Sequence, residues 1–165
     1  MNCPDGYILR SASNRDTDAI KELIFTILCD YGLSPDPEST DMDLSDIEKN
    51  YLENGGTFDV LIDTSSQKII GTVGLWPIDE ESVELRKMYL NKMYRGFGLG
   101  RLLIDHAIDT VRKQKYKRIV LETASVLKEA IALYTRYGFK TCKPSHLAAR
   151  CDTAMELDLE GDTIL

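Results

Sequence analysis

Two kinds of hydrophobic spacing alternate along the chain, and together they predict a mixed α/β fold. In the helical kind, apolar residues recur three and four positions apart, as do Ile20, Leu23, Ile24, Ile27 and Leu28. Capping residues and glycines supply the signals at which such helices begin and end. The predicted helices run from a cap at Asn14 or Asp16 to Gly32, from a capping box at residues 45–48 to Asn54, and over residues 98–115 and 126–137.

Segments rich in β-branched and aromatic residues predict seven strands. These strands cover residues 7–12, 57–63, 68–76, 83–90, 117–123, 138–142 and 153–159. The turn-like residues 64–67 join the second and third strands as a hairpin, whereas the helix over residues 98–115 makes a β-α-β crossover. We therefore expect an α/β (α+β) fold with a mixed sheet and helices on both faces, in a single domain over residues 1–165.

Composition and charge exclude several classes of function. The 165 residues carry a net charge of −7, whereas a nucleic-acid-binding domain needs a basic face. No apolar run approaches the roughly 20 residues that span a bilayer, and no secretory signal is visible, so we expect a cytoplasmic protein without a membrane partner. The four cysteines are scattered and only two histidines are present, so we expect reduced thiols and no metal site.

A glycine-rich loop between the fourth strand and the following helix is the most informative segment. It reads Arg95-Gly96-Phe97-Gly98-Leu99-Gly100. Because glycine has no Cβ, consecutive N–H groups can point at one anion, and the helix N-terminus adds about half a positive charge. We expect a pyrophosphate here with Arg95 beside it, although a plain tight turn would also suit this pattern. The spacing matches neither the G-x-x-x-x-G-K-[ST] motif nor the dinucleotide G-x-G-x-x-G motif.

Two sequence blocks resemble those of the GNAT superfamily of N-acetyltransferases. Residues 95–100 resemble the signature [RQ]-x-x-G-x-[GA], and residues 130–139 resemble the second block, A-x-x-L-Y-x-x-x-G-F. The order of elements over residues 7–159 agrees as well, so the resemblance covers nearly the whole chain. It implies a GNAT fold, in which a mixed, mostly antiparallel sheet of about seven strands has a splayed parallel pair at its centre. It also implies an acetyltransferase that uses acetyl-CoA as the acyl donor.

The resemblance assigns the coenzyme to the splayed strand and the glycine loop. The pantetheine arm is expected to pair with the backbone around Met88, Tyr89 and Leu90, and a backbone N–H near Met88 or Tyr89 to stabilise the oxyanion. The pyrophosphate is expected on the backbone amides of Arg95, Gly96, Phe97, Gly98, Leu99 and Gly100. Since these contacts use the main chain, the side chains of Phe97 and Leu99 are free to vary or to pack inward.

The resemblance also suggests which side chains move protons while an amine attacks the thioester directly in a ternary complex. Tyr134 aligns with the tyrosine that commonly acts as the general acid, and a phenol can protonate the departing thiolate. The alternative is a tyrosine that only packs on the sheet. Glu84 lies where some members place a general base, Glu122 is a second candidate, and ordered water is a third. A solvated Glu84 that pairs with Arg86 or Lys87 is the structural alternative.

The acceptor amine is left open because two clues disagree. His146 and Arg150 lie in the connection between the last two strands, which often borders the acceptor site in this superfamily. Arg150 would bind a carboxylate in bidentate fashion and so favour an amino-acid-like acceptor, unless this is an ordinary loop. An acidic segment without basic residues would instead attract a polyamine or a lysine side chain, unless it is only solvated. That segment contains Asp36, Glu38, Asp41, Asp43, Asp46 and Glu48.

The function predicted from the sequence is N-acetylation of a primary amine, expected to belong to a small molecule. Acetylation of protein lysines or N-termini is the second hypothesis. A regulatory module that binds acyl-CoA without turnover is the third. Homodimers are common in the superfamily, so a homodimer is a further expectation.

Overall fold

A seven-stranded sheet with helices on both faces forms the protein. The computed structural model describes residues 3–144 and 146–160. Its strands are β1 (Tyr7–Ser11), β2 (Thr57–Asp63), β3 (Lys68–Pro77), β4 (Ser82–Leu90), β5 (Arg118–Thr123), β6 (Lys140–Cys142) and β7 (Thr153–Asp158). Its helices are α1 (Thr17–Asp30), α2 (Leu99–Lys113) and α3 (Lys128–Arg136). The predicted α/β fold is therefore confirmed, with strand boundaries within about two residues of those expected.

The sheet is antiparallel except at its centre. The strand order is β1-β2-β3-β4-β5-β7-β6, and only β4 and β5 are parallel neighbours, because the crossover through α2 lies between them. Their pairing extends only from Ser82 opposite Arg118 to Glu84 opposite Val120. Beyond this point the two strands separate, although β4 continues to Leu90. The splayed parallel pair thus opens the sheet next to the glycine loop.

Two hydrophobic cores hold the helices against opposite faces of the sheet. On β2, the adjacent residues Val60 and Leu61 are both fully buried, one in each core, because successive strand residues point to opposite faces. Ile24 of α1 belongs to the same core as Val60, and Leu103 of α2 belongs to the same core as Leu61. Both side chains are fully buried. Burial of one such side chain stabilises the fold by about 1.5–3 kcal/mol, so each helix has a defined face.

The predicted second helix, from Ser45 to Asn54, is wrong. The segment instead forms a 3-10 turn over Met42–Ser45 and a short π-helical turn over Glu48–Leu52. The Ser45 hydroxyl donates to the Met42 carbonyl and so does not cap a helix, whereas the Asp46 carboxylate accepts from the Lys49 N–H at 3.0 Å. Tertiary packing explains the difference, since the π-helical turn carries the fully buried Tyr51.

A β-bulge interrupts β4 beside the splay. Thr72 of β3 lies opposite Tyr89, whereas Gly74 lies opposite Arg86, so β4 contains one extra residue over this interval. The backbone of Lys87 adopts a left-handed conformation there, with φ of 52°. The Thr72 hydroxyl donates to the Lys87 carbonyl at 2.6 Å and holds the bulge in place. Bulges commonly redirect side chains next to active sites.

Neither a membrane-spanning helix nor a metal-binding cluster is found within residues 3–144 and 146–160. No helix there combines the length and hydropathy that crossing a bilayer requires. Nor do three or more His, Cys, Asp or Glu side chains of these residues converge as metal ligands would.

Candidate active site

The separation of β4 from β5 opens a cavity of about 420 Å³, a size typical of small-molecule sites. Its wall is formed by both strands, the C-terminal end of α1, the start of α2, the inner face of α3 and the connection between β6 and β7. Many of the residues predicted from the sequence line it. These are Glu84, Met88, Tyr89, Leu90, Arg95, Gly100, Glu122, Tyr134, His146 and Arg150.

The edge of β4 that faces this cavity lacks a strand partner. Pairing with β5 ends at Glu84, so within the described residues the backbone groups that point to this edge beyond Glu84 have no strand partner. The Leu90 carbonyl is an exception, because it accepts from Nε and Nη2 of Arg95 at 3.3 and 3.2 Å. The open edge therefore offers hydrogen-bonding groups to an extended ligand, and the pairing of pantetheine with it stays a prediction.

The glycine loop has free backbone donors next to the start of α2, although only Arg95 and Gly100 of residues 95–100 line the cavity. Gly96 and Gly98 have φ of 84° and 81°, and a Cβ added at either would meet nothing within 4 Å. Within the described residues, the N–H groups of Gly96, Phe97 and Gly98 donate to no protein acceptor, and α2 starts directly afterwards. A phosphate would therefore find free donors and a helix N-terminus. The Leu99 side chain is buried in the core, and the Phe97 side chain is 71% exposed.

Arg95 donates to Tyr31, which in turn donates to Glu129, and neither of these two residues was predicted from the sequence. Its Nη1 donates to the Tyr31 hydroxyl at 2.7 Å, and that hydroxyl donates to Oε2 of Glu129 at 2.9 Å. Tyr31 follows α1 and Glu129 lies in α3, so their hydrogen bond spans the cavity. No spacing in the sequence relates them, because they are 98 positions apart.

Tyr134 lies on α3, lines the cavity and also belongs to the hydrophobic core around α2. It is 6% exposed and packs on Phe139 with ring centroids 5.6 Å apart. The G-F end of the second sequence block thus supports the tyrosine. Burial, and secondarily the nearby Tyr89, raise the pKa of Tyr134 well above its ordinary value. The phenol therefore remains protonated at neutral pH, as a general acid must before it donates.

Two glutamates lie on the same face of the splayed strands. Glu84 is opposite Val120 in register, so Glu122, two positions farther along β5, shares its face. Burial raises the pKa of Glu84, while Nε of Arg86, which donates to it at 2.7 Å, opposes that rise. Glu122 accepts from the Ala148 N–H at 2.8 Å. Glu84 thus has the predicted Arg86 partner and the perturbed pKa of a candidate base together.

Arg150 binds a carboxylate in bidentate fashion, but the carboxylate belongs to Asp41. Nη1 and Nη2 of Arg150 each lie 2.6 Å from an Asp41 oxygen, and Nζ of Lys87 lies 2.7 Å from the same group. Although burial opposes it, these hydrogen bonds and the Lys87 charge lower the pKa of Asp41 to about 2. Lys87 also approaches Asp43, at 3.3 Å. The two clues to the acceptor therefore meet in one buried ion-pair cluster.

The remaining cavity residues near Arg150 are His146 and Cys151. The His146 side chain is exposed at the cavity, as expected for a residue that a substrate could reach. Burial, with a smaller effect of the nearby Glu122, raises the pKa of the Cys151 thiol to about 11. That thiol is therefore protonated at neutral pH and is a poor nucleophile.

Comparison with known proteins identifies the family. A model described as "Acetyltransferase (GNAT) family" matches residues 22–139. The uncharacterized N-acetyltransferase YjgM of Escherichia coli K12 is 32% identical over 142 residues, which cover 83% of this chain and 84% of YjgM. The chain belongs to the GNAT acetyltransferase family. The fold and enzyme class that the two sequence blocks predicted are thereby confirmed.

Solved structures of GNAT proteins agree with this assignment. A GNAT acetyltransferase from Staphylococcus aureus Mu50 superposes with a TM-score of 0.87 at 28% identity, over 93% of this chain and 99% of that one. YncA of Salmonella typhimurium, solved with its cofactor acetyl-CoA, shares the fold at a TM-score of 0.73 and 20% identity, over 97% and 98% of the chains. The chain spans about half the length of human N-acetyltransferase 8B, to which it is 32% identical over 66% of its own length.

Proposed function

We propose that this protein transfers the acetyl group of acetyl-CoA to the primary amine of a small molecule, by direct attack in a ternary complex. The observation that carries the proposal is the cavity between β4 and β5. It brings Arg95 and Gly100 of the glycine loop, the open edge of β4 and the Tyr134 side chain together. A donor bound along the strand would therefore end beside the candidate acid.

The donor half of the cavity fits acetyl-CoA. The free N–H groups of Gly96, Phe97 and Gly98 and the start of α2 would hold the pyrophosphate. The unpaired edge of β4 at Met88 would hold the pantetheine arm. When bound, acetyl-CoA supplies the thioester that the amine attacks. A backbone N–H at Met88 or Tyr89, just after the bulge, would donate to the developing oxyanion.

Two side chains would move the protons. Glu84 would accept the proton of the incoming ammonium, since a pKa raised by burial brings a carboxylate closer to the working pH. Tyr134 would donate its proton to the departing thiolate, since it lines the same cavity as the open edge of β4 and its phenol is protonated at neutral pH. Glu122, or an ordered water, is the alternative base.

Two bridges across the cavity favour a small acceptor over a protein. Tyr31, just after α1, bonds Glu129 of α3, and Asp41, in the segment between α1 and β2, bonds Arg150 of the connection between β6 and β7. A folded protein or a long peptide would need an open groove across these positions. A compact amine needs only the 420 Å³ cavity.

Thiol release measured with acetyl-CoA tests this proposal. We expect kcat/KM for at least one small amine to exceed that for lysine-containing peptides and free peptide N-termini by tenfold or more. A mixture without amine is the control for thioester hydrolysis. Preference for a peptide would refute the small-molecule part. Calorimetric binding of acetyl-CoA without release toward any acceptor would instead favour the non-catalytic module.

A further inference from the structure

We propose that the acceptor is a primary amine without a carboxylate, and that Asp41 and Arg150 are the residues that exclude carboxylated amines. This inference rests on the proposed function, because it requires the acceptor to enter the cavity beside Glu84. It reverses the simplest interpretation of Arg150, which is that its guanidinium awaits a substrate carboxylate.

The carboxylate-binding face of Arg150 is already in use. Both Nη atoms lie 2.6 Å from the two oxygens of Asp41, the geometry by which a guanidinium binds a carboxylate most strongly. The Asp41 side chain is fully buried and that of Arg150 is only 13% exposed. A substrate carboxylate could take this place only by separating the two, which would leave Asp41 buried with Lys87 alone. Breaking a buried pair in this way is strongly unfavourable.

Two further cations that line the cavity, Lys87 and Arg86, are also paired. Nζ of Lys87 lies between Asp41 and Asp43, at 2.7 and 3.3 Å. Nη2 of Arg86 lies 2.7 Å from Glu84, and the guanidinium stacks on Trp76 at 4.3 Å. None of these cations is therefore available to a substrate carboxylate without the loss of a protein ion pair.

One carboxylate that lines the cavity beside Glu84 has no cation as its partner. Among the described residues, Glu122 accepts from the Ala148 N–H, and no cation lies within ion-pair distance of it. An ammonium would be attracted to this carboxylate, whereas a substrate carboxylate would be repelled by it. The wall is thus complementary to a cationic amine.

Matched pairs of amines test the inference on the wild-type protein. Tyramine against tyrosine, cadaverine against lysine and agmatine against arginine differ only in the α-carboxylate. In thiol-release assays with acetyl-CoA, we expect kcat/KM to be at least tenfold higher for the member without the carboxylate. Equal or reversed preference in the pairs that react would overturn the inference and leave the proposed function intact. No release from any amine would overturn both.

Two variants assign the exclusion to the Asp41–Arg150 pair. Asp41→Asn keeps the size of the side chain and frees Arg150, so we expect the preference within each pair to fall at least fivefold. Asp43→Asn is the matched control, because Asp43 contacts Lys87 but not Arg150, and its preference should stay within twofold of wild type. An equal change in both variants would refute the role of the pair. If Asp41→Asn does not fold, as judged by circular dichroism, Arg150→Gln is the second variant. It should still prefer the amine without the carboxylate, and loss of this preference would also refute the role of the pair.

Discussion

The Lys87→Met variant tests the energetics of the buried ion pairs. Lys87 and Asp41 have side chains only 6% and 0% exposed, and Nζ lies 2.7 Å from Oδ1. Removal of one partner from a buried pair costs about 3–5 kcal/mol, because the other charge is left uncompensated. Asp41 keeps both hydrogen bonds from Arg150, so we expect the lower end of this range, about 3 kcal/mol. Methionine preserves most of the apolar stem, and hence most of the packing.

Urea unfolding followed by circular dichroism measures this loss as a lower midpoint concentration of urea. The slope m of the unfolding free energy against urea concentration should stay unchanged. Lys92→Met is the matched control, since Lys92 pairs with Asp30 at 3.4 Å with side chains 64% and 41% exposed. An exposed pair of this kind contributes about 0–1 kcal/mol. Equal midpoints for the two variants would refute the assignment of stability to the buried cluster.

The pH dependence of stability gives a second test of the same cluster. The folded pKa of Asp41 is about 2, below the value of about 3.9 in an unfolded chain. A lowered folded pKa means that the stabilisation is complete above about pH 4 and is lost as the pH falls from about 4 towards 2. Because Lys87 helps to lower this pKa, we expect the variant to lose the contribution of Asp41 at a higher pH than wild type. Superimposable acid profiles would contradict this expectation.

Three further predictions concern the active site. Tyr134→Phe should lower kcat about 10²-fold or more, while calorimetry should show unchanged acetyl-CoA affinity. Tyr137→Phe is the control: it loses a hydrogen bond to Asp105 and should keep the turnover of the wild type. Glu84→Gln should remove the acidic limb of the kcat/KM profile, which in wild type lies above the ordinary glutamate pKa of about 4.3, and a retained limb would exclude this base. Gly98→Ala should weaken acetyl-CoA binding at least tenfold. Gly55→Ala, at the same φ of 81° but outside the loop, should leave this binding unchanged. If both variants weaken binding equally, the loss comes from backbone strain and not from the loop.

The elements that the sequence predicted well are those fixed by local periodicity. Apolar spacing placed α1 with its buried residues, Ile24 among them, and the glycines placed the start of α2. The segment after Ser45 failed because its conformation depends on a distant requirement, the burial of Tyr51. The β-bulge at Lys87 could not be predicted from the sequence either. A lysine with a left-handed backbone conformation has no sequence signature, and this one depends on the Thr72 hydroxyl of the neighbouring strand.

The same distinction separates the donor site from the acceptor site. The proposed donor cradle would use the backbone of six consecutive residues, 95–100, so a short motif is enough to predict it. The proposed acceptor site would depend on side chains that are distant in the chain, with Asp41 lying 46 positions from Lys87 and 109 from Arg150. Substitutions in the segments that carry Asp41 and Arg150 can therefore change the acceptor without a change in the cradle. It follows that membership of the GNAT family identifies the acetyl donor, whereas the amine must be inferred from the charges around Glu84 and Glu122.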